Sequence, residues 1–162
     1  AGLDFGKMDD YTVLSVLDVT DGTPVQVRCE RINRVDYVSQ AMMIAEAAAP
    51  YNCVRINAER NSMGEAVIDM LLSMGLDVTG VTTTTRSKQH IIEQLATAIE
   101  QQQVTLLNDQ TQYAELGAFT GSQTDAGYWK YGAPESQHDD TVMSLAWAYE
   151  AAVARGFLPT WI

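Results

Sequence analysis

The chain of 162 residues carries ten Lys and Arg against 21 Asp and Glu, a formal net charge of -11, and 46% of its residues are hydrophobic. This length and composition suit one folded domain with a single core and exclude a disordered chain. The charge argues against a protein that coats nucleic acid by bulk electrostatics, but not against an enzyme that meets nucleic acid at a metal site, because bound divalent cations reverse the repulsion between carboxylates and phosphate.

Three strands are predicted at the start of the chain, over residues 2–6, 11–19 and 24–32. Asp21-Gly22 supplies a hairpin turn between the second strand and the third. In the third strand, Val25, Val27 and Cys29 alternate with polar residues, which predicts that these three share one face of a half-exposed strand. The start of the chain is therefore expected to form an antiparallel meander.

Helices and strands alternate along the rest of the chain. Capping boxes at Asn33 and Ser62 start the first two helices, and Pro50 and Gly75 end them. Strands joined by helical crossovers are parallel, so the chain is predicted to be a single α/β domain, residues 1–162, with a mixed sheet and helices on both faces. The other predicted elements are strands at 53–59 and 78–85, helices at 87–103, 109–119 and 136–155, and a hairpin or lid at 121–134.

The first candidate site residue is Asp4, in the middle of the apolar first strand. An acid in such a strand is costly unless it is paired or bound to metal. Gly2 and Gly6 are expected to leave open space for an ion on its face. The alternative is a strand-end Asp that binds turn amides. Asp10, at the start of the next strand, is an auxiliary candidate whose alternative is a turn residue.

Two further acidic positions lie later in the chain. Glu59 ends the predicted strand 53–59, at the edge where open α/β sheets place ligand-binding groups. Its alternative is a solvated strand-end Glu. His138, Asp139 and Asp140 lie at the start of the last helix, where a capping box explains one Asp but not two Asp and a His.

These acids are expected to converge, because the first and fourth strands can lie side by side with the last helix across their ends. Asp4, Glu59 and one or both of Asp139 and Asp140 would then hold two Mg²⁺ or Mn²⁺ ions about 4 Å apart for phosphodiester hydrolysis. Carboxylate oxygens suit these hard cations, and the sequence has no Cys and His set for zinc.

Targeting and redox signals are few. No apolar run approaches the ~20 residues of a membrane-spanning helix, and the first five residues lack the basic and apolar regions of a signal peptide. Cys29 and Cys53 form no CxxC pair. A reducing, cytosolic setting is the simpler expectation, with one disulfide left open as the alternative.

Four stretches, in their order and spacing, carry a resemblance to a known family. The first is Gly-Leu-Asp-Phe-Gly, with Asp10 six residues after Asp4, and the second is Glu59-Arg-Asn-Ser-Met-Gly64. The third runs from Ser87-Lys88 to Ala114-Glu-Leu and has few reactive side chains, and the fourth is His138-Asp139-Asp140 with the Ala-rich helix that follows. Over nearly the whole chain, the sequence resembles the nuclease domain of a large terminase subunit, the DNA-packaging motor of tailed bacteriophages, which has an RNase H-like fold.

The resemblance implies metal-dependent cleavage of double-stranded DNA, in the form of a concatemeric phage genome. The metal ligands that it implies are Asp4, Glu59, and Asp139 or Asp140. It implies that Asp10 is an auxiliary acid and that His138 orients water or a ligand, with a bond to the backbone as the alternative.

The loop that carries Trp129 and Lys130 corresponds to a hairpin that the family has near its active site. Lys130 and Lys88 are the residues expected to contact DNA. Trp129 is expected to pack against the lid or, equally, to be a buried aromatic anchor.

Whole large terminase subunits carry an ATPase domain with a phosphate-binding loop, whereas this sequence contains no GxxxxGK[ST]. We therefore expect an isolated C-terminal domain. The resemblance implies four partners: double-stranded DNA, the ATPase domain of the full-length chain, the phage portal and the small terminase subunit. It places the protein in the cytoplasm of an infected bacterial host, with no membrane.

Three alternatives stay open at this point. A junction resolvase or a transposase-type enzyme would share the fold and the metal chemistry. An actin-like or sugar-kinase protein also has Asp-x-Gly in its first hairpin, but it binds nucleotide between two such domains. A non-catalytic docking module would carry the same acids as solvated surface.

Overall fold

The protein is built around a five-stranded mixed sheet with helices on both faces. The computed structural model describes residues 1–6, 10–53, 55–60, 64–123, 127, 129–134 and 137–154. The strands are β1 (Gly2–Asp4), β2 (Thr12–Asp18), β3 (Val25–Ile32), β4 (Ile56–Glu59), β5 (Val78–Val81), β6 (Thr120–Gln123) and β7 (Trp129–Gly132). The helices are α1 (Tyr37–Ala48), α2 (Gly64–Ser73), α3 (Thr85–Glu100), α4 (Gln110–Ala118) and α5 (Asp140–Ala154), with a 3-10 turn at Ala49–Tyr51.

The sheet has the strand order β3-β2-β1-β4-β5. The pairs β3/β2 and β2/β1 are antiparallel, whereas β1/β4 and β4/β5 are parallel, which confirms the predicted mixed sheet. In the β1/β4 pair, Leu3 lies opposite Ala58. Asp4 and Glu59, the next residues of each strand, therefore come to the same edge of the sheet. The predicted hairpin near the end of the chain is the separate pair β6/β7.

Each face of the sheet has its own apolar core. On one face, α1 and α2 cover β1, β2 and β4, and Leu3, Ile44 and Ile68 are fully or almost fully buried there. On the other face, α3 and α5 pack together, and Leu145 and Trp147 of α5 are buried between them and the sheet. The periodic apolar positions of these helices explain both layers. Within the described residues, none of the helices combines the length and the hydropathy of a transmembrane segment.

The backbone of α5 lies directly against β1. A Cβ atom at Gly2 would collide with the carbonyl oxygen of Ser144 and the backbone nitrogen of Ala148. A side chain at Gly6 would likewise lie 2.5 Å from the carbonyl oxygen of Tyr11. The prediction that Gly2 and Gly6 leave open space beside Asp4 is therefore wrong: backbone from other elements fills the space that their missing side chains leave.

The start of α1 differs from the prediction. Asp36, rather than Asn33, is the N-cap of α1, and its carboxylate accepts two backbone N–H groups at 3.0 Å. Arg34 has a φ of 58°, in the left-handed region. A right-handed helix cannot run through that residue, so α1 begins at Tyr37.

The start of α3 also differs from the prediction. Thr84 is the N-cap, and α3 begins at Thr85 rather than at Ser87. The hydroxyl of Thr84 accepts the N–H of Ser87 at 3.1 Å, and the hydroxyl of Ser87 accepts the N–H of Thr84 at 2.8 Å. Because Thr84 caps α3, it does not belong to the predicted strand 78–85, and β5 ends at Val81.

The other helix ends agree with the prediction in part. Gly75, with a φ of 87°, follows the end of α2 as predicted. The last helix begins at Asp140 rather than at residue 136, and the carbonyl of Asp139 accepts the N–H of Met143 at 2.9 Å. Ser62 and Ser136, the predicted caps of α2 and α5, lie outside the described residues, as do residues 7–9 of the predicted first turn.

The predicted alternation in β3 is wrong. Cys29 lies opposite Ser15 and Gln26 lies opposite Leu17, with an irregularity in the register between those two pairs. This bulge puts Gln26 and Cys29 on the same face, because Ser15 and Leu17 are two residues apart in β2. Gln26 is consequently buried, whereas Val25 is 40% exposed.

Candidate metal centre

Two carboxyl groups meet at the carboxyl ends of the two central parallel strands. Asp4 ends β1 and is only 7% exposed, and Glu59 ends β4 beside it. The two carboxyl groups lie close enough to act on each other. Burial, followed by the negative charge and the hydrogen bond of Glu59, raises the pKa of Asp4 well above its usual value.

The start of α5 brings two more acids to this edge. Asp139 and Asp140 are close enough for their negative charges to raise the pKa of Asp4 further. Asp140 itself is 6% exposed, and burial is the main cause that raises its pKa to about 6. The backbone N–H of Tyr11, which donates to Asp140 Oδ2 at 3.1 Å, acts in the opposite direction. The strand ends and the helix start thus assemble four acids from three distant parts of the chain.

Asp10 and His138 lie on the Asp140 side of the cluster. His138 Nδ1 is 3.2 Å from Asp10 Oδ1 and 3.7 Å from Asp140 Oδ2. Asp10, His138 and Asp140 each offer one ligand atom, and the three atoms lie within 4.8 Å of one another. The ring of Tyr11 contacts His138 edge to face, with the ring centroids 5.9 Å apart. The structure therefore groups the two predicted auxiliary residues with Asp140.

A buried Glu that the sequence analysis passed over supports the start of α5. Glu115 of α4 accepts the backbone N–H of Thr141 at 2.8 Å and its hydroxyl at 2.5 Å. Arg31 of β3 lies 3.6 Å from the other oxygen of Glu115, and its guanidinium stacks 3.8 Å from the ring centre of Tyr11. Glu115 thus ties the helix that carries Asp139 and Asp140 to α4. Its partners lie far away in sequence, so no local pattern could have marked it.

A second side of the cluster is cationic and aromatic. Lys88 Nζ, in the first turns of α3, lies 3.3 Å from Asp139 Oδ2. A cavity of about 270 Å³ opens here, lined by Glu59, Thr83, Thr84, Thr85, Lys88, Trp129, Lys130 and Tyr131. The β6/β7 hairpin therefore forms one wall of a cavity that reaches a site carboxylate, and both predicted DNA-contact lysines line it.

Aromatic side chains hold the hairpin against α3. The hydroxyl of Tyr131 donates to Glu93 of α3 at 3.1 Å, and its ring stacks on Phe119 with an interplanar angle of 3°. The ring of Trp129 also stacks with that of Tyr131, with the ring centroids 6.4 Å apart, and Trp129 is 42% exposed. The alternative that Trp129 is a buried anchor is therefore wrong: Tyr131 is the residue bonded to α3, and the indole faces solvent at the cavity rim.

The donor set suits a hard divalent cation. Each of the four acids offers carboxylate oxygens, which Mg²⁺ and Mn²⁺ prefer over softer ligands. Asp4 is buried against another carboxyl group, and such a pair is stable only if a proton or a cation compensates the charge. The residues that could hold the cation are Asp4, Glu59, Asp139 and Asp140, with Asp10 and His138 next to Asp140.

Comparison with known proteins gives a consistent result. Residues 1–152 match the family described as Terminase RNaseH-like domain. The large terminase subunit of Thermus virus P23-45 is 35% identical over 149 residues, which is 91% of this chain and 30% of that protein. The crystal structure of the large terminase nuclease from the thermophilic phage G20c has a TM-score of 0.82 and 33% sequence identity to this chain. The match covers 92% of this chain and 79% of that one. Its structure with bound magnesium has a TM-score of 0.81 at 33% identity, over 92% of this chain and 78% of that one.

Proposed function

The chain belongs to the family of terminase RNase H-like domains, and on that premise we propose that it is a metal-dependent endonuclease that cuts double-stranded DNA during packaging of a phage genome. Its mixed α/β fold is that of large terminase nuclease domains. The observation that carries the proposal is the convergence of Asp4, Glu59, Asp139 and Asp140 at one edge of the sheet, with Asp4 buried against Glu59. Membership of this family sets aside the actin-like alternative.

The four acids are the proposed ligands of two divalent cations, Mg²⁺ or Mn²⁺. When bound, such ions supply an activated water and stabilise the leaving oxygen of a phosphodiester. The chain's own residues arrange the site: Asp4 and Glu59 are held by the paired strands, and Tyr11 N–H orients Asp140. His138 Nδ1 lies near the carboxylates of both Asp10 and Asp140, where it can orient a water or a ligand. The related G20c nuclease has been solved with bound magnesium, which supports this choice of ion.

The proposed DNA contact is the cavity beside Glu59. Lys88 and Lys130 line it and can each approach a phosphate as a point charge. Trp129, at the rim of this cavity, is 42% exposed and can contact sugar or base edges. Because the chain has a net charge of -11, contact through a few lysines and bound cations fits better than a broad basic surface. DNA binding by the chain alone is therefore proposed to be weak and independent of sequence.

The chain spans about 30% of the length of the curated relatives it matches. We propose that the whole protein also contains an ATPase domain, and that it acts with the phage portal and the small terminase subunit in the cytoplasm of the host. The nuclease domain would then obtain much of its grip on DNA from these partners rather than from its own acidic surface.

A plasmid-cleavage assay with Mn²⁺ or Mg²⁺ tests the proposed reaction. We expect the wild-type chain to cut the plasmid, Asp4→Asn and Glu59→Gln to lose cutting, and Asp21→Asn, in the exposed β2/β3 turn, to cut as wild type. Full cutting by Asp4→Asn, or no cutting by the wild type at high enzyme concentration, would contradict the proposal and favour a docking module. A four-way DNA junction assayed in parallel tests the resolvase alternative, which requires preference for the junction over the linear duplex.

A further inference from the structure

The acids of the cluster have different polar partners. Asp4 lies against Glu59, another acid, and Asp140 accepts the N–H of Tyr11 and lies beside His138. Asp139 differs, because its partner is the ammonium group of Lys88, 3.3 Å from Oδ2. Both side chains of this ion pair are about one quarter exposed, at 26% and 27%. The pair thus lies at the boundary between the buried acids and the open cavity.

Lys88 reaches Asp139 from a well-fixed base. The capping box of Thr84 and Ser87 holds the start of α3, and the N–H of Lys88 donates to the carbonyl of Thr84 at 2.9 Å. Phe119 lies beside the ammonium group, with its ring centre 5.9 Å from Nζ. The ammonium group therefore stands against one oxygen of Asp139, while its flexible four-carbon stem can swing into the cavity that it lines.

From this arrangement we propose that Lys88 is a tethered counter-cation that competes with the divalent cation for Asp139 and, once displaced, contacts a DNA phosphate. The inference rests on the proposed metal-dependent function and deepens it. A divalent cation bound at Asp139 repels the ammonium group that lies 3.3 Å from Asp139 Oδ2, so the two cations compete for this carboxylate. Binding of the cation therefore releases a positive charge into the cavity at the moment when the site becomes able to accept phosphate.

The ion pair is weak enough to exchange. Partly exposed ion pairs contribute little, and removing the competitor is expected to strengthen divalent-cation binding about two- to fivefold. The same removal takes away a positive charge that the proposed substrate contact uses. Lys88→Met, which keeps the apolar stem without the charge, should therefore bind metal more tightly and cut DNA less well. An ordinary stabilising lysine would not give these opposite effects.

Calorimetric titration of Mn²⁺ into the DNA-free chain tests the competition. We expect Lys88→Met to bind Mn²⁺ about two- to fivefold more tightly than wild type, and Lys88→Arg to stay close to wild type. Arg86→Met removes the same charge from the same helix turn and is the matched control, with affinity close to wild type. Unchanged or weaker binding by Lys88→Met overturns the inference, as does an equal gain in Arg86→Met, which would indicate long-range electrostatics.

Chemical modification of the wild-type chain provides a second measurement that does not depend on the folding of a variant. Limited acetylation, read by mass spectrometry, should modify a larger fraction of Lys88 when Mg²⁺ is present, relative to Lys130 in the same sample. An unchanged ratio overturns the inference. If wild type binds Mn²⁺ and cuts DNA but Lys88 shows neither effect, only this inference fails. If wild type binds no divalent cation, the proposed metal centre fails as well.

Discussion

The substitution Asp140→Asn is expected to stabilise the metal-free protein at neutral pH and to lose this effect in acid. Burial is the main cause that raises the pKa of Asp140 from 3.8 to about 6, and the negative charges of Asp10 and Glu115 add to it. Asparagine keeps an oxygen that can accept the N–H of Tyr11, which lies 3.1 Å from Asp140 Oδ2. The substitution therefore removes the buried charge but preserves the local hydrogen bond.

The direction of the pH dependence follows from which state, folded or unfolded, binds the proton of Asp140 more tightly. Because the pKa is higher in the folded state, the free energy of unfolding falls as the pH rises through the window from about 4 to about 6. A rise from 3.8 to about 6 corresponds to at most about 3 kcal/mol. The polar surroundings of Asp140 and relaxation of the folded chain around its charge reduce this to about 1 to 2 kcal/mol. For a chain of this size, that is about 3 to 6 °C in melting temperature.

Thermal melts in EDTA, followed by circular dichroism near neutral pH and at about pH 4.5, measure the effect. Asp140→Asn should melt about 3 to 6 °C above wild type at neutral pH and by a clearly smaller margin at about pH 4.5, which lies within the titration window, and Asp21→Asn should match wild type at both. A variant that melts below wild type at neutral pH, or a difference that is the same at both pH values, would refute the reasoning.

Three further outcomes are expected. Millimolar Mn²⁺ should raise the melting temperature of wild type but not of Asp4→Asn, because only the wild-type cluster gains from a bound cation; equal shifts in a thermal melt would contradict a preformed site. Glu115→Ala should lower the free energy of unfolding, measured by urea denaturation, by about 2 to 4 kcal/mol, because it leaves the buried N–H of Thr141 without an acceptor. Glu115→Gln keeps an acceptor and should lower the free energy of unfolding by less than half as much. Gly2→Ala should unfold the protein or abolish two-state melting, because its Cβ meets the backbone of α5, while Gly117→Ala, in open space on α4, should stabilise by up to about 1 kcal/mol.

The sheet could be predicted from local residue patterns, and the grouping of the acids could be predicted from the order of the strands and helices. β-branched and aromatic residues mark β2, and the parallel pair β1/β4 brings Asp4 and Glu59 to one edge of the sheet, although β1 ends at Asp4 rather than at residue 6. The helix crossovers then required parallel pairing and placed helices on both faces. These features need no knowledge of any contact between distant residues.

The features that could not be predicted depend on such contacts or on one backbone angle. Asn33 and Asp36 are both good caps, and the left-handed φ of Arg34 selects Asp36. The partners Lys88 and Asp139 are 51 residues apart, and Glu115 and Thr141 are 26 apart, so no spacing rule links them. The two glycines beside Asp4 suggest room for an ion in the sequence, because the sequence does not tell which backbone fills the space.

The close seating of α5 on β1 has a consequence for how the acids keep their spacing. At Gly2 the helix backbone touches the strand backbone with no side chain between them. The separation between the acid that ends β1 and the pair that begins α5 is therefore determined by main-chain dimensions, which do not vary with the choice of rotamer. Changes in the size of core side chains elsewhere leave this backbone contact intact. Any side chain at Gly2 would instead force α5 away from β1, and with it Asp139 and Asp140 away from Asp4.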